Sequence, residues 1–538
     1  MAATTEFDAV ERAIVDHLFE LQPSTAVGLG LHAYDGRLPD YRREATDRWA
    51  ADADRLLARL DGYDTAGLPP DRQIDRFLLR LLLESPLFDL RDARELDRNP
   101  MAYVGLFSLT PYLAREYAPA AARVDSLAKI LAGVPAVLDA GRRRLAGPLP
   151  RPFVNLAVLM GEQLPAHFGE AEEFARRAGR AEELVPYRRT AEAAVAAFVG
   201  WLRETERPRA DDRFALGPER FQRLLFVREG IEAPTEEIRR AGEADLARNR
   251  VRLQEIVRQS GSTPSEMFRA LGDDHPPAPE VLSTTRAYVD EARAFVIQHD
   301  LASVPEPAVC RVEETPPAAR ALSTASMNPP GPFEEAASEG IYFVTLVDPA
   351  WTPSEQEEWL RSLNRPMLRN ITVHEVYPGH YLQFLHLRAR PGSLARKVYL
   401  SSSFVEGWAH YAEQLAIEAG LGRGSPSAEI AQLHDALLRN CRLLSAIGLH
   451  TAGWSVARAT ELFRTEAHMD QLPAEREAIR GTFDPVYFCY TLGKLKILEA
   501  RARLLGPKFG GRLRAFHDAV LATGSPPIGL LETMLASP

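Results

Sequence analysis

The chain has 538 residues, of which 46% are hydrophobic and 26% are charged, and its net charge of −10 is spread along the sequence. This composition predicts a globular protein with a large core, and the acidic balance argues against nucleic acid or an anionic membrane as the main partner. The three cysteines, Cys310, Cys441 and Cys489, lie far apart without a Cys-x-x-Cys pair. That spacing favours neither a disulfide framework nor a thiolate metal site, and it fits a reducing compartment.

The first segment, MAATTEFDAVERAIVDHLFELQP, predicts an amphipathic helix that carries acidic residues. It lacks the basic and apolar regions of a secretory signal. No apolar run in the sequence approaches the roughly 20 residues that span a bilayer. The sequence therefore predicts a cytoplasmic protein that has no membrane partner.

Most of the chain before residue 300 predicts amphipathic helices. RQIDRFLLRLLLE (72–84) and TEEIRRAGEADLARNRVRLQEIVRQ (235–259) both repeat apolar residues with the helical period of 3.6. Proline and glycine interrupt these segments too often for a coiled coil. We predict a helical part in residues 1–300 and a metal-binding catalytic part in residues 301–538, with a central cleft between them or within one continuous domain.

A small β-sheet is predicted just before the first histidine motif. Residues 304–353 concentrate prolines, glycines and β-formers, and Ile341 to Val347 is the best strand candidate, paired with Ala308 to Val312. A strand followed by a helix with a His-Glu pair is common in zinc hydrolases of the zincin type, in which the sheet edge pairs with an extended peptide. A purely structural hairpin fits the same pattern.

The stretch ITVHEVYPGHYLQ (371–383) resembles the zinc signature H-E-x-x-H but has a different spacing. In that signature, two histidines four residues apart bind zinc and the glutamate serves as general base. His374 and His380 are six residues apart, and on an unbroken helix they would point about 120° away from each other. A regular helix therefore cannot bring both to one ion.

Pro378 and Gly379 offer a way to bring the histidines together. Proline cannot donate the helical hydrogen bond, and glycine tolerates unusual backbone conformations. If this pair loops out, His374-Glu375-Val376-Tyr377-His380 again reads H-E-x-x-H, and helix bulges are often found at functional sites. The alternative is that the pair simply ends a helix and that the histidines are incidental.

A third zinc ligand is expected in SSFVEGWAHYAEQLA (402–416), because catalytic zinc has three protein ligands and water. Glu406, His410 and Glu413 share one face of the predicted helix there, opposite an apolar face. We predict Glu406 as the ligand, with His410 and Glu413 orienting the ligands, or one of these two as the ligand instead. The alternative is a helix that is half core and half solvated surface.

HEVYPGHYLQ and EGWAHYAEQL together resemble the paired motifs H-E-x-x-P-G-H-x-x-Q and E-G-W-A-x-Y-A-E of the bacterial domain-of-unknown-function family 885. GIYFVTLVDP, IGLHTAGWS and YTLGKLKI extend the resemblance over most of residues 305–505. Family members are similar to gluzincin-type zinc metallopeptidases and many carry lipoprotein signals. The resemblance implies a mainly α, large multi-helix zincin-like fold with a small β-sheet before the metal-binding helix, and it adds Gln383 as a group around the ligands.

The predicted chemistry uses one Zn²⁺ per chain, held by His374, His380 and Glu406. Zinc would activate water, and Glu375 would take its proton and pass it to the leaving amine.

Other residues are predicted to stabilise the oxyanion or to bind substrate. Tyr490 and His450 match positions typical of the family and suit an oxyanion donor, although a tyrosine on a helix is more often a core residue. Lys494 and Arg501 lie on one predicted helix and could bind a substrate carboxylate, although basic surface residues are common. In the predicted strand, Tyr342 and Thr345 are candidate substrate contacts, and Thr345 stands where the family leads us to expect asparagine.

These residues predict a zinc-dependent hydrolase of peptide or amide bonds, of the carboxypeptidase or oligopeptidase type. One alternative is a metal-dependent enzyme recruited to a small-molecule amide, an ester or a biosynthetic reaction. Another is a catalytically silent helical binding protein. The presence of Glu375 argues against the silent protein, because a structural metal site needs no general base.

Overall fold

The computed structural model describes residues 2–63, 68–316, 320, 323–390 and 392–536. These residues form two compact units. The first comprises Met1–Phe214, Pro330–Ser338 and Gly392–Tyr399, and the second comprises Ala215–Pro329, Glu339–Pro391 and Leu400–Pro538. The division at residue 300 stays a prediction.

The first unit is built from helices around an apolar core. Its helices are α1 (Ala2–Leu21), α2 (Pro23–Gly28), α3 (Arg43–Asp61), α4 (Pro70–Arg91), α5 (Glu95–Arg98), α6 (Met101–Val104), α7 (Thr110–Ala114), α8 (Ala120–Arg144), α9 (Arg151–Arg177), α10 (Ala181–Trp201) and, from the later segment, α18 (Leu394–Val398). Buried aliphatic and aromatic residues of α8, α9 and α10 supply most of one large core cluster. The helix predicted in residues 72–84 is confirmed within α4.

The second unit holds both histidine motifs and the remaining helices. These are α11 (Pro218–Glu229), α12 (Thr235–Ser260), α13 (Pro264–Asp273), α14 (Val281–Gln298), α15 (Pro353–Ser362), α16 (Arg365–Glu375), α17 (His380–Ala389), α19 (Ser402–Ala419), α20 (Pro426–Thr451), α21 (Val456–Glu466), α22 (Gln471–Phe483), α23 (Cys489–Leu504), α24 (Leu513–Ala522) and α25 (Leu531–Ala536). The helix predicted in residues 235–259 is confirmed as α12. No helix in the described part of the chain is long and apolar enough to span a bilayer.

A three-stranded sheet precedes the first motif, as predicted. Its strands are β1 (Cys310–Glu314), β2 (Ala325–Asn328) and β3 (Gly340–Val344). The order is β1-β3-β2, with β1 parallel and β2 antiparallel to β3. The predicted pairing of the strand near Ile341 with the strand near Val312 is confirmed, whereas β2 was not predicted. The mainly helical class is also confirmed.

Helices α19 and α23 touch backbone to backbone because each has a glycine at the crossing. A Cβ atom on Gly407 would lie 2.3 Å from the Cα of Gly493, and one on Gly493 would lie 1.7 Å from the carbonyl oxygen of Ser403. Real Cβ atoms do not approach other atoms so closely. The two glycines thus bring α23 against the helix that carries Glu406.

Candidate metal centre

The hydrogen bonds between α16 and α17 show how the first motif accommodates its long spacing. The N–H of Gly379 donates to the carbonyl of Val373 (3.0 Å), and the N–H of Leu382 donates to that of Val376 (3.2 Å). Both bonds reach back six residues, whereas a regular helix reaches back four. Two extra residues are therefore inserted into the helical hydrogen-bond pattern, as predicted from a looped-out Pro378-Gly379 pair. All four residues between α16 and α17 lie outside the helices.

Tight backbone packing at Gly379 and a hydrogen bond to Pro378 both fix the turn between α16 and α17. A Cβ atom on Gly379 would lie 1.8 Å from the carbonyl oxygen of His374, so only glycine fits. The peptide bond between Tyr377 and Pro378 is cis. The indole Nε1–H of Trp408 donates to the carbonyl of Pro378 at 2.8 Å. Trp408 belongs to the second motif, so the second motif fixes the turn of the first.

The break brings three potential ligands together. One ligand atom from each of His374, His380 and Glu406 lies within 4.8 Å of the other two. The Nε2 atoms of both histidines lie 3.4 Å from Oε2 of Glu406, and the two rings meet edge to face with centroids 4.7 Å apart. The structure thus brings the three predicted side chains together, and their role as metal ligands stays a prediction.

The electrostatics of the cluster favour a shared positive charge. Burial lowers the pKa of His374, but hydrogen bonds with Glu406 and Glu413 outweigh it and raise that pKa to about 9. Burial raises the pKa of Glu406, but the two histidines outweigh it and hold that pKa well below its usual value. The cluster therefore holds a proton tightly at the position where a cation would bind.

Glu413 makes the predicted contact behind His374. It is fully buried, and its Oε1 atom lies 2.7 Å from Nδ1 of His374. A carboxylate only accepts, so Nδ1 carries a proton, and Nε2 is the nitrogen that would bind a cation once the proton held by the cluster is displaced. His410 is more distant, since its Nδ1 lies 3.4 Å from Oε2 of Glu413.

Arg439 binds both oxygens of Glu413 at 3.0 Å, and sequence analysis missed it. The one available signal was an Asp435–Arg439 pair, four residues apart, on helix α20.

Glu375 lies beside the ligands and contacts the sheet. Its Oε2 accepts the N–H of Met327 in β2 at 2.8 Å. Burial raises its pKa, and the nearby histidines only partly oppose that rise. Met327 stands opposite Tyr342 in the β2–β3 pair, and its N–H points away from β3. The free edge of β2 therefore faces the candidate general base.

Tyr490, near the start of α23, lies within electrostatic reach of the cluster. Burial, and then the negative charge of Glu406, raise the pKa of its phenol. The close α19–α23 crossing explains this proximity, because Tyr490 precedes Gly493 by three residues and Glu406 precedes Gly407 by one. Its predicted role as an oxyanion donor stays a prediction.

Both ring nitrogens of His450 form hydrogen bonds with the backbone, which corrects its predicted role as an oxyanion donor. Its Nδ1 accepts the N–H of Leu216 at 3.3 Å, and its Nε2 donates to the carbonyl of Gly481 at 2.9 Å. The ring is 2% exposed. With both nitrogens engaged, it has no donor to offer an oxyanion.

Lys494 and Arg501 on α23, which were predicted to bind a substrate carboxylate, both form ion pairs with acidic residues of the chain. Lys494 is fully buried, and its ammonium lies 2.7 Å from Oδ2 of Asp245. Arg501 pairs with Glu418 at 2.7 Å. The buried ammonium of Lys494 is therefore not available to a substrate carboxylate, and the guanidinium of Arg501 already pairs with an acid of the chain.

Three other predicted residues are buried and form their hydrogen bonds away from the three ligand candidates. Gln383 donates to the hydroxyl of Ser525 at 2.6 Å rather than to a ligand. Tyr342 and Thr345 are 0% and 1% exposed, and the hydroxyl of Tyr342 lies 3.4 Å from that of Thr372. Tyr342, in β3, and Thr345, just after it, are too buried to contact substrate, which corrects their predicted role.

Comparisons with known proteins bear on family and fold. The family model described as "Bacterial protein of unknown function (DUF885)" matches residues 23–535. The structure of a candidate lipoprotein of unknown function from Shewanella oneidensis is 22% identical, with a TM-score of 0.81 over 99% of this chain and 100% of that one. A candidate lipoprotein from Colwellia psychrerythraea is 18% identical, with a TM-score of 0.79 over 99% of both chains. No functionally curated protein matches significantly.

These findings confirm the family resemblance and correct one prediction. The two structures show that the whole fold is shared. Both are named as lipoproteins, a class that is exported and anchored by lipid, and this contradicts the predicted cytoplasmic location.

Proposed function

Because the chain belongs to the DUF885 family, whose function is unknown, its chemistry has to be inferred from the site, and we propose that it is a zinc-dependent peptide hydrolase with a zincin-like fold. One observation carries the proposal. The ligand atoms of His374, His380 and Glu406 lie within 4.8 Å of one another, and the carboxylate of Glu375 lies within electrostatic reach of both histidines.

The donor set fits zinc. Two imidazole nitrogens and one carboxylate oxygen are a recurrent set in catalytic zinc sites, which keep one position open. The contact of Glu413 with His374 is the usual outer partner of a metal-binding histidine. Zinc bound there would supply Lewis acidity toward a substrate carbonyl and toward water.

In this proposal Glu375 moves the proton. Its carboxylate is oriented by the N–H of Met327, and its raised pKa makes it a better proton acceptor near neutral pH. It would take a proton from the attacking water and deliver it to the leaving amine. The phenol of Tyr490 would donate a hydrogen bond to the developing oxyanion.

The sheet favours a peptide over a small amide. Strand β2 is an edge strand, and its outer side reaches Glu375 through Met327. An extended peptide aligned along this edge could pair with outward-facing backbone groups of β2. Such pairing would place a peptide carbonyl near the general base.

The test is a digest with matched variants. Zinc-loaded protein is incubated with a mixture of synthetic peptides, and products are identified by mass spectrometry. We expect cleavage by the wild type and by the control Glu475→Gln, an exposed position on α22, but none by Glu375→Gln, which should still bind one zinc. His374→Ala should lose the zinc. Wild-type cleavage by zinc-bound Glu375→Gln would exclude the assigned general base, and no cleavage by the wild type would exclude the peptidase.

A further inference from the structure

Helix α20 buries an unusual set of charges behind the ligand cluster. Asp435 and Arg439 are each 8% exposed. Burying a guanidinium is costly unless its donors are paired in good geometry. The partners of Arg439 therefore indicate why it is there.

Arg439 contacts the groups that orient the first zinc ligand. Its Nη1 donates to Oε2 of Glu413, and its Nη2 lies at the same distance, 3.0 Å, from Oε1. Its Nη2 also lies 3.3 Å from Nδ1 of His374. Its guanidinium carbon lies 5.6 Å from the centre of the Tyr490 ring. Asp435, at 3.7 Å, is a weaker partner.

Two arrangements of the His374 ring compete at Nδ1. A proton on Nδ1 is donated to Glu413 at 2.7 Å, and the Nε2 lone pair is then free for a metal. The other tautomer accepts from Arg439 and places its proton on Nε2, which then cannot bind a metal. The position of Glu413 decides between them, because the first arrangement exists only while the carboxylate stays in reach.

We propose that Arg439 is a positioning residue that locks the carboxylate of Glu413, so that His374 presents its Nε2 lone pair to the metal. The two parallel contacts prevent the carboxylate from rotating away, as bidentate arginine–carboxylate pairs do. This inference rests on the proposed zinc site. It assigns to Arg439 an effect on metal binding that acts through Glu413.

Arg442 provides a matched control on the same helix. It is also largely buried, it also lies near the ring of Tyr490, at 5.2 Å, and it forms a two-bond pair with an acid. That acid is Glu477, rather than Glu413. Loss of either arginine should cost stability, but only loss of Arg439 should change the metal site.

The experiment measures zinc affinity on the full chain by competition with a chromogenic chelator, after zinc is stripped. Arg439→Met should weaken zinc binding about 10- to 100-fold, the usual effect of losing an outer partner of a ligand. Arg442→Met should leave the affinity within about twofold. Glu413→Gln should weaken binding similarly, and the Arg439→Met/Glu413→Gln double variant no further, because Arg439 acts through Glu413. Thermal unfolding in chelator shows which variants are folded.

Arg439→Lys keeps the inference testable if Arg439→Met does not fold. A lysine has one point of attachment and cannot bridge both oxygens, so an intermediate loss of affinity is expected. Folded Arg439 variants with the zinc affinity of Arg442→Met would overturn the inference, as would additive losses in the double variant. If the wild type itself binds no zinc, the proposed function fails instead, so the two failures are distinguishable.

Discussion

Replacing Gly379 by alanine should disable the metal site with little effect on the rest of the fold. The added Cβ atom would lie 1.8 Å from the carbonyl oxygen of His374 and 2.5 Å from that of Val373. Both are backbone atoms at the end of α16, so no side chain can swing aside. The turn that connects the two histidines must therefore move.

The size of the movement follows from these distances. Cβ atoms approach no closer than 3.0 Å, so the turn must shift by at least 1.2 Å, the difference between 3.0 Å and 1.8 Å. His380 is the next residue, and zinc–ligand distances tolerate only about 0.2 Å. We expect at least about a tenfold loss of zinc affinity, since even the loss of an outer partner costs that much. Overpacking should cost about 1–3 kcal/mol of stability.

The assay combines chelator competition for zinc with thermal unfolding of the metal-free protein. Gly506→Ala is the control, because a Cβ atom there meets nothing within 4 Å, and it should leave zinc affinity unchanged. Wild-type zinc affinity in folded Gly379→Ala would refute the account of the turn.

Three further changes test other parts of the account. Tyr490→Phe should lower kcat about 10- to 1000-fold with zinc content unchanged, and an unchanged kcat would remove the phenol from the mechanism. Trp408→Phe removes the donor to Pro378 at 2.8 Å and shrinks a fully buried side chain, so it should cost about 1–3 kcal/mol in chemical unfolding; no loss would mean that the bond does not hold the turn. Burial outweighs the hydrogen bonds of Glu229 and raises its pKa from 4.5 to about 7. The folded state therefore binds this proton more tightly, so roughly 3 kcal/mol of stability is present below pH 4.5 and lost as the pH rises through 7. Glu229→Gln should flatten that part of the stability curve, and an unchanged curve would contradict the assignment.

The sequence was informative where a local pattern has one main physical cause. Apolar periodicity predicted α4 and α12, because amphipathic helices bury one face. Pro378 and Gly379 predicted the interruption between the histidines, because neither supports a regular helical ladder. The shared face of α19 and the need for a third ligand pointed to Glu406, and its side chain lies with the two histidines.

Contacts between residues that are far apart in the chain could not be predicted from the sequence. Strand β2, with the sequence Ala-Ser-Met-Asn, has no strong strand pattern, and its pairing with β3 defines it. Arg439 looks like any charged residue on a helix until its contact with Glu413 is seen. His450 was predicted as an oxyanion donor and Lys494 as a ligand of a substrate carboxylate because their chemistry suits those roles, but both form hydrogen bonds or ion pairs with buried partners. The type of a side chain limits the chemistry it can perform, and its contacts in the fold determine its role.

The most direct test of the central claim is a crystal structure of the zinc-loaded protein with anomalous diffraction measured at the zinc edge. The account predicts one strong anomalous peak per chain, about 2.0–2.2 Å from Nε2 of His374, Nε2 of His380 and a carboxylate oxygen of Glu406. A peak elsewhere, or no peak at these three side chains, would contradict it.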